Sequence, residues 1–198
     1  MEKGFLYNLF GFRVCSPKDP LPSKSGQSLT WRMDERLAPF ILVTEVDDGG
    51  FFIRELFQRK FGDLPPEVGH HIVAFYRDGE RTFLPASYLH LWTQETIGLV
   101  GGGCTDGRIL REMTPEQVSI VIRAGGLLRQ TLGYCFARFE SKLEAFFGHC
   151  GNARAKEVDL QAGFVETPVP YLLVRYNRFL KPKRQEELLR QAQAIGVF

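Results

Sequence analysis

Four histidines, one glutamate and a run of glycines are the residues of this chain whose types and spacing bear on chemistry. His90 and Glu95 lie on or just after a predicted central strand, where an imidazole or a carboxylate reaches into a cleft. Either side-chain type can act as a general base. Both also have ordinary structural readings. His71 and His149 fall on predicted strands too. Cys150 beside His149 hints at a nucleophile and its base, but adjacent strand residues point to opposite faces, which discounts the pair. The same objection discounts His70-His71 as a metal pair. The other candidate is Gly101-Gly102-Gly103-Cys104-Thr105-Asp106-Gly107-Arg108, a glycine-rich turn after a predicted strand with a cation at its end. Backbone N–H groups in such a turn cradle phosphate. It reads equally as a tight turn or a bulge beside a strand.

These residues need elements to hold them. The continuous β-branched run 39–46 predicts a central strand. Residues 51–61 carry apolar side chains at helical spacing, with Asp48 placed to cap them. Strands are predicted over 71–77 and 81–94, joined at Asp78-Gly79, with Pro85 near the start of the second or at a bulge. A further strand over 96–103 runs into the glycines, and 104–113 reads as a loop. Thr114-Pro115-Glu116-Gln117 is a helix start, and the apolar face continues to about Arg138. The Gly125-Gly126 pair inside that helix marks close packing or a boundary. A strand over 145–149, a helix over 152–162 stopped by Gly163, strands over 164–169 and 171–177, and an amphipathic helix over 183–194 complete the order.

That order, with hairpins beside helical crossovers, predicts an α/β (α+β) domain: a mixed, mostly antiparallel central sheet flanked by helices on both faces. Residues 1–37 read as an N-terminal arm and linker, 38–178 as the domain, and 179–198 as a C-terminal amphipathic helix packed on it. Residues 4–15 suit a strand or docking arm, and the Pro- and Ser-rich stretch 16–30 suits an exposed linker.

The stretch Asn152 to Phe164 resembles the C-terminal motif of the GNAT acyltransferase superfamily. Asn152, the small Ala155 three residues on, and Gly163-Phe164 eleven and twelve on match in register. The resemblance covers the element order over roughly 38–177. It implies a groove for acetyl-CoA or another acyl-CoA as co-substrate, bordered by the 152–162 helix, with Asn152 able to contact the cofactor. The acceptor it implies is a small-molecule amine or other acyl acceptor. At the position where many members carry a Tyr that donates to the departing CoA sulfur stands Asp159, whose carboxylate opposes a developing thiolate. The family's Arg/Gln-x-x-Gly-x-Gly/Ala pyrophosphate loop has no clean copy. Two altered candidates are 101–108, the one favoured, and Arg123-Ala124-Gly125-Gly126, which would make 118–122 a strand. Gly101, Gly102, Gly103, Cys104, Thr105, Arg108 and Asn152 are therefore the expected cofactor contacts. With Asp159 and the altered loop in view, a second reading stays open. It is a GNAT-like fold without transfer chemistry that binds a ligand or partner.

Composition narrows the rest. The chain has 198 residues, enough for one substantial domain, and 44% hydrophobic and 24% charged residues, as in an ordinary globular protein. Its 17 Phe predict a core of large side chains. A net charge of +2 carries no nucleic-acid signal. No apolar run approaches the roughly 18 residues of a membrane span. The four Cys form no Cys-x-x-Cys pair and read as free thiols of a reducing compartment. No metal site, nucleic acid or membrane is expected, and the expected location is cytoplasmic. The apolar faces of the arm and the last helix suit the sheet edges or a second subunit, leaving a homodimer open.

Overall fold

The strands of this protein are built from short apolar runs that must be covered on both faces, and the helices between them supply the cover. The computed structural model describes residues 31–79, 82–196 and 198. Of the arm and linker expected over 1–37, residues 1–30 lie outside the described residues. In order, the elements are β1 Ile41–Val46, α1 Gly49–Phe61, β2 His70–Asp78, β3 Thr82–Gln94, β4 Ile97–Thr105, α2 Gly107–Glu112, α3 Pro115–Arg123, α4 Leu127–Phe139, β5 Ala145–His149, α5 Ala153–Gln161, β6 Val165–Glu166, β7 Leu172–Tyr176 and α6 Pro182–Ile195. The seven strands form one sheet in the order β1-β2-β3-β4-β5-β7-β6. Every neighbouring pair is antiparallel except β4 and β5.

Alternation along the strands divides the core. Ile72, Ala74, Leu89, Leu91, Phe146 and Leu173 face α4 and α5. Val73, Phe75, Tyr88 and Cys104 meet Ile53, Leu56 and Phe57 of α1. On that same second face, Ile97, Leu99, Ala145, Phe147 and Val174 meet Leu188 and Ala192 of α6. α1 and α6 thus share one face of the sheet and leave the middle strands between them.

Local signals explain most boundaries. Asp48 caps α1 by accepting from the Phe51 N–H, and Gly62 ends the helix in the left-handed region. Thr114 and Gln117 close a reciprocal capping box on α3. Asn152 caps α5, accepting from the N–H groups of Arg154 at 2.9 Å and Ala155 at 3.2 Å. Pro85 stands beside the β2–β3 irregularity, where its missing N–H costs no ladder bond.

Three expectations are corrected. The stretch 101–108 is not a turn: β4 runs through all three glycines to Thr105, and Asp106 then caps the short α2 where a loop was expected. The helix expected over 114–138 is two helices, because Gly125 and Gly126 both take positive φ, which no helix interior allows. The alternative strand over 118–122 is helical, since the capping box and Pro115 outweigh its β-branching.

Candidate functional site

The site is a split in the sheet. β4 and β5 pair from Ile97 with Ala145 to Val100 with Gly148, and no further. Beyond Val100, β4 continues for five residues paired only with β3, while β5, paired with β7 throughout, ends one residue past Gly148 at His149. The β5-side backbone edge of 101–105 is therefore free of a strand partner.

A bulge shapes that edge. Tyr88 pairs with Cys104 and His90 with Gly101, so two β4 residues, Gly102 and Gly103, stand opposite the single Leu89. Gly102 takes φ +59, the conformation a glycine-first bulge requires. A Cβ there would come within 2.9 Å of the Phe57 ring. The bulge turns Gly102 toward α1 and Gly103 toward α4, and it bends β4 away from β5.

The split is lined by Gly101, Gly102, Gly103, Gly148, Cys150 and Asp159, among others, around a cavity of about 80 Å³. Ligand pockets run from about 300 to 1,000 Å³. Leu128 takes up part of that space, and Phe198 lies close by. Leu128 is in the first turn of α4, on one face; a Cβ on Gly103 would lie 3.2 Å from its Cδ1. On the other face, Phe198 brings its backbone to 3.5 Å from where a Gly101 Cβ would stand, and its ring lies 5.5 Å from the His149 ring.

The expected site residues divide between this place and others. Gly101, Gly102 and Gly103 line the split from within a strand. Cys104 is buried under α1, and burial pushes its thiol up to about 12. The Thr105 hydroxyl lies 3.2 Å from that of Ser87. Arg108 is half-exposed on α2, 3.6 Å from Asp106. Asn152 holds the start of α5 through its capping bonds, and the neighbouring Cys150 donates its thiol to the Asn152 carbonyl at 3.3 Å. His90 lies on the α1 face directly opposite Gly101, with Nε2 2.7 Å from the Val68 carbonyl. Glu95 takes positive φ in the turn between β3 and β4, accepting from Gln191 at 3.2 Å. That turn is about 20 Å along β4 from the bulge at the usual rise per residue.

Gly125-Gly126, the second glycine candidate, turns the chain into the N-terminus of α4, and the Gln130 amide fixes that turn by donating to the Ala124 carbonyl at 2.7 Å. The helix start carries no side-chain cap. Helix starts leave their first N–H groups without intrahelical partners. Leu128, two residues beyond Gly126, lines the split beside Gly103, so of this stretch it is the following helix turn that reaches the β4 glycines.

Asp159 projects from α5 into the split beside Cys150. Burial pushes its carboxyl up to about 6, against a smaller opposing effect of its hydrogen bond with Cys150. Burial and then the Asp159 charge push the Cys150 thiol up. Leu128, Phe198 and Tyr88 escaped the sequence reading. For Tyr88 a signal exists: it precedes His90 by two residues on one strand and so shares its face.

Among the described residues no group of three or more His, Cys, Asp or Glu side chains is placed to hold a metal ion. No described helix is long and apolar enough to cross a membrane.

No family model matches the sequence, and no curated protein matches it. Several solved structures are similar in fold. One is N-acetylglutamate synthase from Neisseria gonorrhoeae, complexed with coenzyme A and L-arginine, at 12% identity and TM-score 0.46 over 69% of this chain. The match spans only 33% of that synthase's length. Another is apo FdhC, a nucleotide-linked sugar GNAT, at 13% identity and TM-score 0.41, over 77% of this chain and 93% of that one. A third is Tetrahymena GCN5, at 10% identity and TM-score 0.37, over 66% of this chain and 88% of that one. The fold itself is a mostly antiparallel mixed sheet in which the one parallel pair among the described residues separates beyond Val100.

Proposed function

We propose that the split between β4 and β5 receives the extended arm of an acyl-CoA and that the chain transfers the acyl group to an amine. The observation that carries this reading is the β4 edge at 101–105, free of a strand partner beside a bulge, where β5 has ended. Unpaired backbone groups on a strand edge need partners, and an amide-bearing chain laid along them supplies both donors and acceptors. The uncapped start of α4 suits the negatively charged end of such a ligand. Acetyl-CoA or another acyl-CoA fits these features, provided that Leu128 swings aside.

The acceptor amine comes from the face that carries α1 and α6. His90, opposite Gly101 on that face, is the base. Its Nε2 donates to the Val68 carbonyl, so the neutral ring offers Nδ1 as proton acceptor. Burial holds the imidazole below its ordinary range, which keeps it neutral at neutral pH. Asp159 stands where the resemblance puts the donor to the departing sulfur. With its carboxyl pushed up to about 6, a protonated fraction persists near neutral pH and can deliver that proton. Glu95 receives no role.

One observation favours a second reading, a ligand-binding or interaction module without transfer chemistry. The cavity measures only about 80 Å³, and Leu128 stands in its lining. Titration calorimetry with acetyl-CoA, free CoA and a longer acyl-CoA tests the first reading, and binding by none of them removes it. Binding without release of CoA thiol across a broad panel of amines selects the second; turnover with any amine removes that one.

A further inference from the structure

Two histidines and a tyrosine stand together on the α1 face, and the backbone is cut to fit them. A Cβ on Gly49 would lie under 3.0 Å from the His71 ring, and one on Gly69 under 3.0 Å from His90 Nε2. Gly69 itself takes φ +109. His71 is 2% exposed, with Nδ1 2.8 Å from the Tyr88 hydroxyl. His71 and His90 are directly opposite in register, with ring centroids 5.5 Å apart. Tyr88 is fully buried and reaches beneath Gly102, where a Cβ would lie 3.6 Å from its ring. The three side chains therefore run from the β4 bulge to the N-terminus of α1.

Their protonation states are constrained. The Val68 carbonyl can only accept, which puts a proton on His90 Nε2 and leaves Nδ1 bare in the neutral ring. Burial raises the Tyr88 hydroxyl, so it keeps its proton and can donate it to His71 Nδ1. Burial also lowers both histidines. Two imidazoles side by side in such a place do not both carry charge. The charged or titratable groups around them are few. Asp48 at the start of α1 acts on His71, raising it, as does Glu45. His70 acts on both, lowering them, but its own ring lies against Phe139 of α4 and bonds Glu45 at 2.6 Å. From β4, His90 faces a glycine.

We infer that Tyr88, His71 and His90 form one proton-handling unit, in which His71, fixed by the Tyr88 hydroxyl and the Gly49 notch, positions His90 with Nδ1 free to take the acceptor's proton. The source of that proton rests on the acyl-transfer reading; the tautomer and the coupling do not. As the amine nitrogen bonds to the thioester carbonyl carbon, the C–S electron pair leaves with sulfur and the surplus N–H proton passes to His90 Nδ1. His71 and Tyr88 are positioning residues, because neither is placed to touch the acceptor.

Nitrogen-15 histidine spectra of the full chain test the inference without substrate. The wild type should show His90 as the Nε2–H tautomer, titrating below an ordinary imidazole. His71→Asn should release the ring, giving mixed tautomers and a His90 midpoint that rises toward the ordinary value, and His71→Gln should restore part of the order. Should His71→Asn fail to fold, Gly49→Ala expels the ring by another route, with Gly50→Ala as a control that meets nothing nearer than 3.4 Å. An Nδ1–H tautomer for His90, or a His90 signal indifferent to both His71→Asn and Gly49→Ala, overturns the unit. If amine turnover is found, His90→Gln should lower it about 100-fold, within the span of general-base effects, and His71→Asn should move the pH profile with it. If no acyl-CoA binds, the transfer reading falls and the spectra still decide the unit.

Discussion

Asp159 stands at the motif position where the sequence resemblance expects a tyrosine, and its burial makes that difference measurable. In the folded protein its carboxyl is raised from the ordinary 3.8 to about 6, chiefly by burial. A raised carboxyl binds its proton more tightly when folded. Its contribution is fully present below the unfolded value and is lost as pH rises through about 6. Discounted for its partial exposure, the cost at pH 8 is roughly 1–2 kcal/mol. Asp159→Asn is therefore expected to be more stable than wild type by about that amount at pH 8 and equal to it near pH 4, in urea titrations at the two pH values. Parallel stabilities at both would show that the carboxylate is solvated. The sequence displayed Asp159 at the motif position. It could not display the desolvation, because walls of the split such as Leu89, Val100 and Leu128 come from distant parts of the chain.

At the scale of elements, the β4 bulge decides where the sheet opens. Gly102→Ala combines a positive φ with a Cβ 2.9 Å from Phe57, and should cost about 1–3 kcal/mol, read as a loss of melting temperature. Gly101→Ala, whose nearest neighbour would be Phe198 backbone at 3.5 Å, should cost less. Equal losses would mean that the bulge is not what strains position 102. Bulge and turn were indistinguishable in the sequence, because three glycines have no side chains whose alternation could reveal a strand. For the same reason β4 was expected to stop at Gly103 and α2 was missed. Elements with side-chain periodicity or caps were legible: α1 behind Asp48, α3 behind its capping box, α5 behind Asn152, and the β2–β3 hairpin at Asp78-Gly79. The break between α3 and α4 was marked by Gly125-Gly126, but the apolar stripe ran on across it and favoured one long helix.

For the molecule as a whole, α6 is held to the sheet by a charge cluster as well as by Leu188 and Ala192. Arg184 donates to Glu144 at 2.7 Å and to the Thr96 hydroxyl at 3.2 Å, and Arg178 stands 3.2 Å from Glu144. The Arg184 hydrogen bonds, first among several causes, lower the Glu144 carboxyl from 4.5 to about 2. A depressed carboxyl contributes above its unfolded value and loses that contribution as pH falls through the folded one. Wild type should therefore lose stability between pH 4.5 and about 2, and Arg184→Gln should remove most of that slope, in acid titrations followed by circular dichroism. An unchanged slope would place the acid-sensitive contacts elsewhere. α6 also shares with α1 the face on which His90 and Gly101 lie, the face the proposed reading gives to the acceptor. Whether that arrangement serves an acyl-CoA is tested most directly by calorimetric titration of the full chain and of Leu128→Ala with acetyl-CoA, free CoA and a longer acyl-CoA. Binding that tightens when Leu128 is cut back is the expected result. No heat from any of the three with either protein would contradict the assignment of the split sheet as an acyl-CoA site.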